Sequence, residues 1–163
     1  MVTEDLRPLS LELLSKLAKC PAVSFYEGAV AEFIGQYLEQ LEVSFKEDAY
    51  GNLVVRRAGE DPELPAIAFM AHMDHPGFEA FHAEGTTVLA RALGGVPSSC
   101  FSERVPVQIV APDGQMFGAE TGRRYGSESE RTVSLYLENE HPFELPCTVI
   151  FDLPNFSLLR HGT

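Results

Sequence analysis

The spacing of apolar positions changes once along this chain, near Gly77, and that change divides it. From Pro8 to Lys19, the residues Leu9, Leu13, Leu14, Leu17 and Ala18 fall on one helical face. Pro8 suits a first helical turn and Pro21 lies beyond the end, so a docking helix is predicted there. Ser24 and Glu27 have the spacing of a capping box ahead of Val30, Phe33, Ile34, Leu38 and Leu41, which predicts a second amphipathic helix from Tyr26 to Glu42. Val43 to Lys46 reads as a short strand, Tyr50-Gly51-Asn52 as a turn, and Leu53 to Val55 as the next strand. A polar connection from Gly59 to Pro65 then leads into Ala66 to Ala71, an apolar run expected to form a buried strand.

After Gly77 helical spacing gives way to short apolar stretches punctuated by turns. Strands are predicted at Phe78 to His82, Thr86 to Leu93, Val105 to Val110, Gln115 to Ala119, Thr132 to Leu137 and Cys147 to Phe151, the pattern of a small β-barrel or sandwich. Pro112-Asp113-Gly114 supplies a hairpin turn, Gly94-Gly95 a tight bend, and Glu120 to Arg131 a mobile loop. The expected fold class is therefore α/β. Residues 1–77 are the N-terminal part of a mixed α/β domain, 78–153 a barrel-like all-β insertion, and 154–163 a return segment.

Composition narrows the choice of partners. The chain has 163 residues, 45% of them hydrophobic, so it can bury a core, and its formal net charge of −12 repels nucleic acid and anionic membrane. It contains no run of 18 apolar residues, and Glu4 and Asp5 near the start do not resemble a signal segment, so a cytoplasmic location is expected. Cys20, Cys100 and Cys147 are widely spaced and odd in number, which supports core thiols rather than a disulfide framework or a zinc knuckle.

The chemistry gathers where the apolar run ends, in Ala71-His72-Met73-Asp74-His75-Pro76-Gly77. On extended backbone, His72 and Asp74 share a face and Met73 opposes them. A metal-binding imidazole ordinarily donates its other N–H to an oxygen acceptor, and a carboxylate two residues along can accept it. By itself an H-x-D triplet is usually structural; its place at the tip of an apolar strand is more restrictive. His75 can reach the site, a substrate or solvent, depending on the Pro76-Gly77 turn. His82, His141 and His161 show no paired spacing and read as surface residues, Glu27 as a helix cap, and Asp152 and Glu120 as solvated.

Taken with Val23-Ser24-Phe25-Tyr26-Glu27, Tyr50-Gly51-Asn52-Leu53 and Gly94-Gly95, the Ala71-His72-Met73-Asp74 motif resembles the M42-type aminopeptidases, relatives of the M20 and M28 co-catalytic zinc peptidases. The resemblance spans nearly the whole chain. It implies an α/β zinc-peptidase catalytic domain whose β-insertion makes subunit contacts and shapes access to the active site. It implies that His72 ligates one of two zinc ions, with cobalt or manganese also suited to an imidazole, and that Asp74 is the active-site carboxylate orienting that ring. It further implies a homo-oligomer, joined through the β-domain, that hydrolyses peptides from the amino terminus with a metal-activated water. His75-Pro76 departs from the acidic residue the family commonly places there. The remaining family ligands and the general base lie beyond the insertion, so residues 1–163 alone are expected to be inactive.

Two other functions fit parts of the pattern. The metallo-β-lactamase-like motif H-x-H-x-D-H overlaps His72-x-Asp74-His75, but position 70 is a methionine, a poor ligand for zinc. A non-catalytic oligomerisation or binding module, associating through exposed strand edges, is the remaining alternative.

Overall fold

The computed structural model describes residues 6–61, 63–101, 104–125, 131–141 and 144–153. The return segment expected at 154–163, with His161, lies outside them. Helices α1 (Arg7–Leu17) and α2 (Gly28–Gln40) come first, followed by the strands β1 (Phe45–Glu47) and β2 (Leu53–Val55). These two strands pair as an antiparallel hairpin, with Lys46 opposite Val54. The hairpin reaches α2 through Phe45, whose ring leaves a Cβ at Gly35 only 3.2 Å of space.

Six strands then close a barrel: β3 (Gly77–Glu84), β4 (Thr87–Leu93), β5 (Pro106–Val110), β6 (Met116–Tyr125), β7 (Thr132–Leu137) and β8 (Cys147–Phe151). All neighbours are antiparallel in the order β3-β4-β7-β6-β5-β8, and β8 pairs with β3 to complete the ring. Period-two alternation sends Val133, Leu135 and Leu137 of β7 inward and leaves Tyr136 half-exposed. Val88, Ala90, Val107, Ile109, Ala119, Cys147 and Val149 meet them in the interior, small and branched residues suited to a six-stranded bore. The ring of Phe78 sits edge-on to both Phe101 and Phe151, with centroids 5.9 and 5.4 Å away.

Several expectations from the sequence are corrected here. The run Ala66 to Ala71 forms no strand, and Ile67, Phe69 and Met70 are 83–95% exposed. An apolar stretch becomes a strand only where a neighbour accepts its backbone hydrogen bonds, and among the described residues none pairs with it. The α/β part is thus represented by two helices and one two-stranded hairpin. Helix α1 buries no residue, so it does not dock as predicted. The capping box at α2 is not made: Glu27 accepts from the Phe25 N–H at 2.9 Å, and no side chain caps the helix. The first half of the predicted loop Glu120 to Arg131 is instead the end of β6, which continues to Tyr125 across a bulge between Thr121 and Arg124; residues 126–130 lie outside the described set. Of the three thiols, Cys147 is buried while Cys20 and Cys100 are half-buried.

The N-terminal segment is tied to the barrel at two places. Tyr26 donates to Glu79 Oε1 at 2.7 Å, and Arg91 on β4 pairs with the other oxygen of Glu79, so this buried carboxylate is satisfied on both sides. Burial works to raise the Glu79 pKa, but the hydrogen bonds from Arg91 and Tyr26 together outweigh it and hold the group below its ordinary value. Tyr26 is pushed up to about 12, by burial first and then by the Glu79 carboxylate it serves. Its folded-state pKa exceeds the ordinary 10.0, so its contribution is present below pH 10 and is lost as pH rises toward 12. Denaturant titrations between pH 9 and 11 are therefore expected to show Tyr26→Phe losing less stability than the parent; equal losses would refute this coupling.

The second tie is steric. A Cβ at Gly77 would lie 2.5 Å from Val23 Cγ2 and 2.6 Å from the Val149 carbonyl oxygen, so the chain crosses β3 at a point with no room for a side chain. Gly77→Ala is expected to destabilise the fold by about 2–3 kcal/mol, read from the denaturant midpoint.

Candidate functional site

The segment 72–75 is strapped down by residues 22–24. The His75 N–H donates to the Ala22 carbonyl at 2.7 Å, and Val23 and His75 form an isolated parallel bridge. Ser24 Oγ donates to Asp74 Oδ2 in a short hydrogen bond. Ala22 and Val23 are fully buried, so the strap is anchored in apolar packing while its last residue reaches the polar surface.

His72 stands outward from this base with its side chain 84% exposed. Its Nδ1 lies 2.8 Å from the Asp74 carbonyl oxygen and 3.2 Å from Asp74 Oδ1. Both neighbours are acceptors, since the Asp74 carboxyl is held below its ordinary pKa by the Ser24 hydroxyl first and also by His72, against the upward push of burial. With two acceptors beside it, Nδ1 is the donor, and Nε2 on the far side of the ring faces away from Asp74. The sequence anticipates the carboxylate as the orienting group; in the structure the backbone carbonyl of the same residue is the nearer acceptor.

This donor set fits one position of a divalent-metal site. An exposed imidazole with Nδ1 committed to oxygen presents the atom and tautomer that zinc, cobalt or manganese accepts. Among the described residues no group of three His, Cys, Asp or Glu side chains comes together. His75 is half-buried and fixed through its backbone, His82 lies exposed on β3, and His141 stacks on Phe117 with centroids 4.6 Å apart. Asp152 accepts from Gln108, and Glu120 lies 3.9 Å from Arg104. Sequence reasoning missed Ser24, because the capping-box spacing explains a serine there without any long-range partner. It also missed Glu79 and Arg91, which border an open groove of about 360 Å³ with Phe81, Leu145 and Pro146, and Tyr26, which donates to Glu79. No helix among the described residues is long and apolar enough to cross a membrane.

No family model matches the chain. A curated N-carbamoyl-L-amino-acid amidohydrolase of Paenarthrobacter aurescens is 46% identical over 46 residues, which are 28% of this chain and 11% of that protein. Among solved structures, the PhTET1-12s dodecamer superposes with a TM-score of 0.73 at 24% identity, covering 92% of this chain and 47% of the other. An aminopeptidase of the archaeon Desulfurococcus kamchatkensis gives 0.71 at 19% identity, over 91% and 44% of the two chains. The TET1 peptidase of Pyrococcus horikoshii, which assembles into a tetrahedron or an octahedral shell, gives 0.68 at 23% identity, over 87% and 46%. The fold of this chain is thus that found in the archaeal M42-type TET aminopeptidases. The chain spans somewhat under half the length of these structures.

Proposed function

We propose that the chain forms part of a metal-dependent aminopeptidase, with His72 as one metal ligand and Asp74 as the group that orients it. The observation that carries this reading is the His72 ring: exposed, with Nδ1–H held by Asp74 and Nε2 presented outward, in a fold shared with TET aminopeptidases. Asp74 keeps the tautomer, and the strap of residues 22–24 keeps Asp74. A bound cation would supply Lewis acidity, polarising an amide carbonyl and making water a better nucleophile. Other ligands and the base that takes the proton from water come, on this reading, from residues outside those described. Assembly into a homo-oligomer belongs to the same proposal, supported by the multimeric TET neighbours.

A second hydrolytic reading is favoured by the curated match: attack on the carbamoyl or amide group of a single N-substituted amino acid. Both chemistries break a C–N bond next to a carbonyl, and the substrate separates them. The full-length protein, incubated with zinc, cobalt or manganese, is expected to release the chromophore from aminoacyl p-nitroanilides and to stop when a chelator is added. Turnover of N-carbamoyl amino acids alone would favour the amidohydrolase, and no turnover of either substrate with any of the three metals would refute both.

A further inference from the structure

Ser24 lies three residues ahead of Glu27, the N-cap of α2, so the helix makes no use of its hydroxyl, which instead bonds a carboxylate 50 positions along the chain. The next residue, Phe25, has φ +75° and is 85% exposed, a left-handed conformation that disfavours a bulky side chain and that no packing rewards. A local cost at Phe25 accompanies this one long-range bond at Ser24.

The barrel closes over that bond from the other side. Gly94, at the end of β4, has φ +67°, and a Cβ there would come within 3.1 Å of Ser24 Oγ and 3.5 Å of Pro76 Cα. The carbonyl of Gly94 accepts from Arg131 at 3.2 Å, and Arg131 also bonds the Val96 carbonyl while its guanidinium lies over the Phe101 ring, 5.2 Å from the centroid. Phe101 is itself held by Phe78 in the core. The Gly94 turn, pinned by Arg131 to the barrel interior, thus lies close enough to Ser24 that a side chain there would crowd its hydroxyl.

We infer that Ser24 is a positioning residue: seated by the Gly94 turn of the barrel, it fixes the Asp74 carboxylate and so holds the His72 ring in the Nδ1–H form with Nε2 outward. The functional meaning of this rests on His72 being a ligand, as proposed above; the ring geometry itself does not. With one oxygen of Asp74 engaged by Ser24, only the other is left for the imidazole, which restricts the carboxylate to one rotamer. Without the hydroxyl the carboxylate rotates and hydrates; the nearer acceptor, the backbone carbonyl, still engages Nδ1–H, but the ring loses its second, side-chain acceptor.

Nitrogen-15 imidazole spectra of the full chain labelled with ¹⁵N-histidine test this at constant pH and without metal, with the His72 signals assigned by their absence in His72→Gln. The parent is expected to show the Nδ1–H tautomer, Ser24→Ala a smaller excess of it as the side-chain acceptor is lost and the backbone carbonyl remains, and Ser24→Thr the parent pattern. Zinc affinity is expected to fall about tenfold in Ser24→Ala and to recover in Ser24→Thr. A tautomer unchanged in Ser24→Ala, or a parent ring already mixed, overturns the inference. If Ser24→Ala does not fold, Ser24→Cys, which keeps the volume and donates weakly, carries the same reading. A tautomer that responds as expected in a protein whose zinc binding ignores His72→Gln would sustain the positioning role and defeat the aminopeptidase proposal.

Discussion

Replacing His72 by alanine is expected to lower kcat/KM of the full-length protein toward an aminoacyl anilide by about a thousandfold, roughly 4 kcal/mol of transition-state stabilisation. The size follows from what the ring contributes. As the proposed ligand, the ring offers Nε2 outward, and removing a directly bound donor would exceed the ten- to hundredfold loss that follows removal of an orienting partner. Fold stability should scarcely change, because the side chain is 84% exposed and its one bonded contact lies two residues away. Metal content of the purified variant, measured by atomic emission, should fall together with activity. A His72→Ala protein retaining activity within threefold of the parent would remove His72 from the site altogether.

The largest effect on stability is expected at Phe78. Its ring is fully buried and meets Phe101 at an interplanar angle of 87° and Phe151 at 64°. Phe78→Ala is expected to cost about 3–5 kcal/mol, the transfer free energy of the ring plus the cavity left where two aromatic edges lose their partner. Phe78→Leu keeps most of the volume and is expected to cost about 1 kcal/mol. The damage should also spread outward. Phe101 supports Arg124 and Arg131, whose guanidinium carbons lie 5.1 and 5.2 Å from its ring centroid, and Arg131 pins the Gly94 turn. Hydrogen exchange at Gly95 and Val96 should therefore accelerate in Phe78→Ala beyond what the global loss accounts for. A cost below 1 kcal/mol, or exchange at that turn no faster than elsewhere in the barrel, would refute this account of the core.

The barrel was readable from sequence because its information is local. Inward residues such as Val133, Leu135 and Leu137 alternate with outward ones, and the turn at 112–114 is made by the Gly114 N–H bonding the Ala111 carbonyl and the Asp113 carboxylate accepting from Gln115. The expected strand stopped short of β6's true end because Gly122-Arg123-Arg124 lacks branched or aromatic residues, whereas the bulge there, covered by Tyr136, lets pairing with β7 continue. The run 66–71 was misjudged for a different reason. Apolarity records that a segment favours burial, whereas a strand also needs an adjacent strand, and pairing is a property of two segments. At the site, the link between His72 and Asp74 was legible because it spans two residues. Ser24 was not, since the motif that explains it locally conceals its partner across the fold.

The ring of strands also bears on how copies of this molecule can meet. Because β8 bonds back to β3 through Phe78 to Ala80, the ring of described strands closes, which shortens the row of amide and carbonyl groups open to a foreign strand. Contact between barrels then depends on shape and side-chain chemistry more than on backbone pairing.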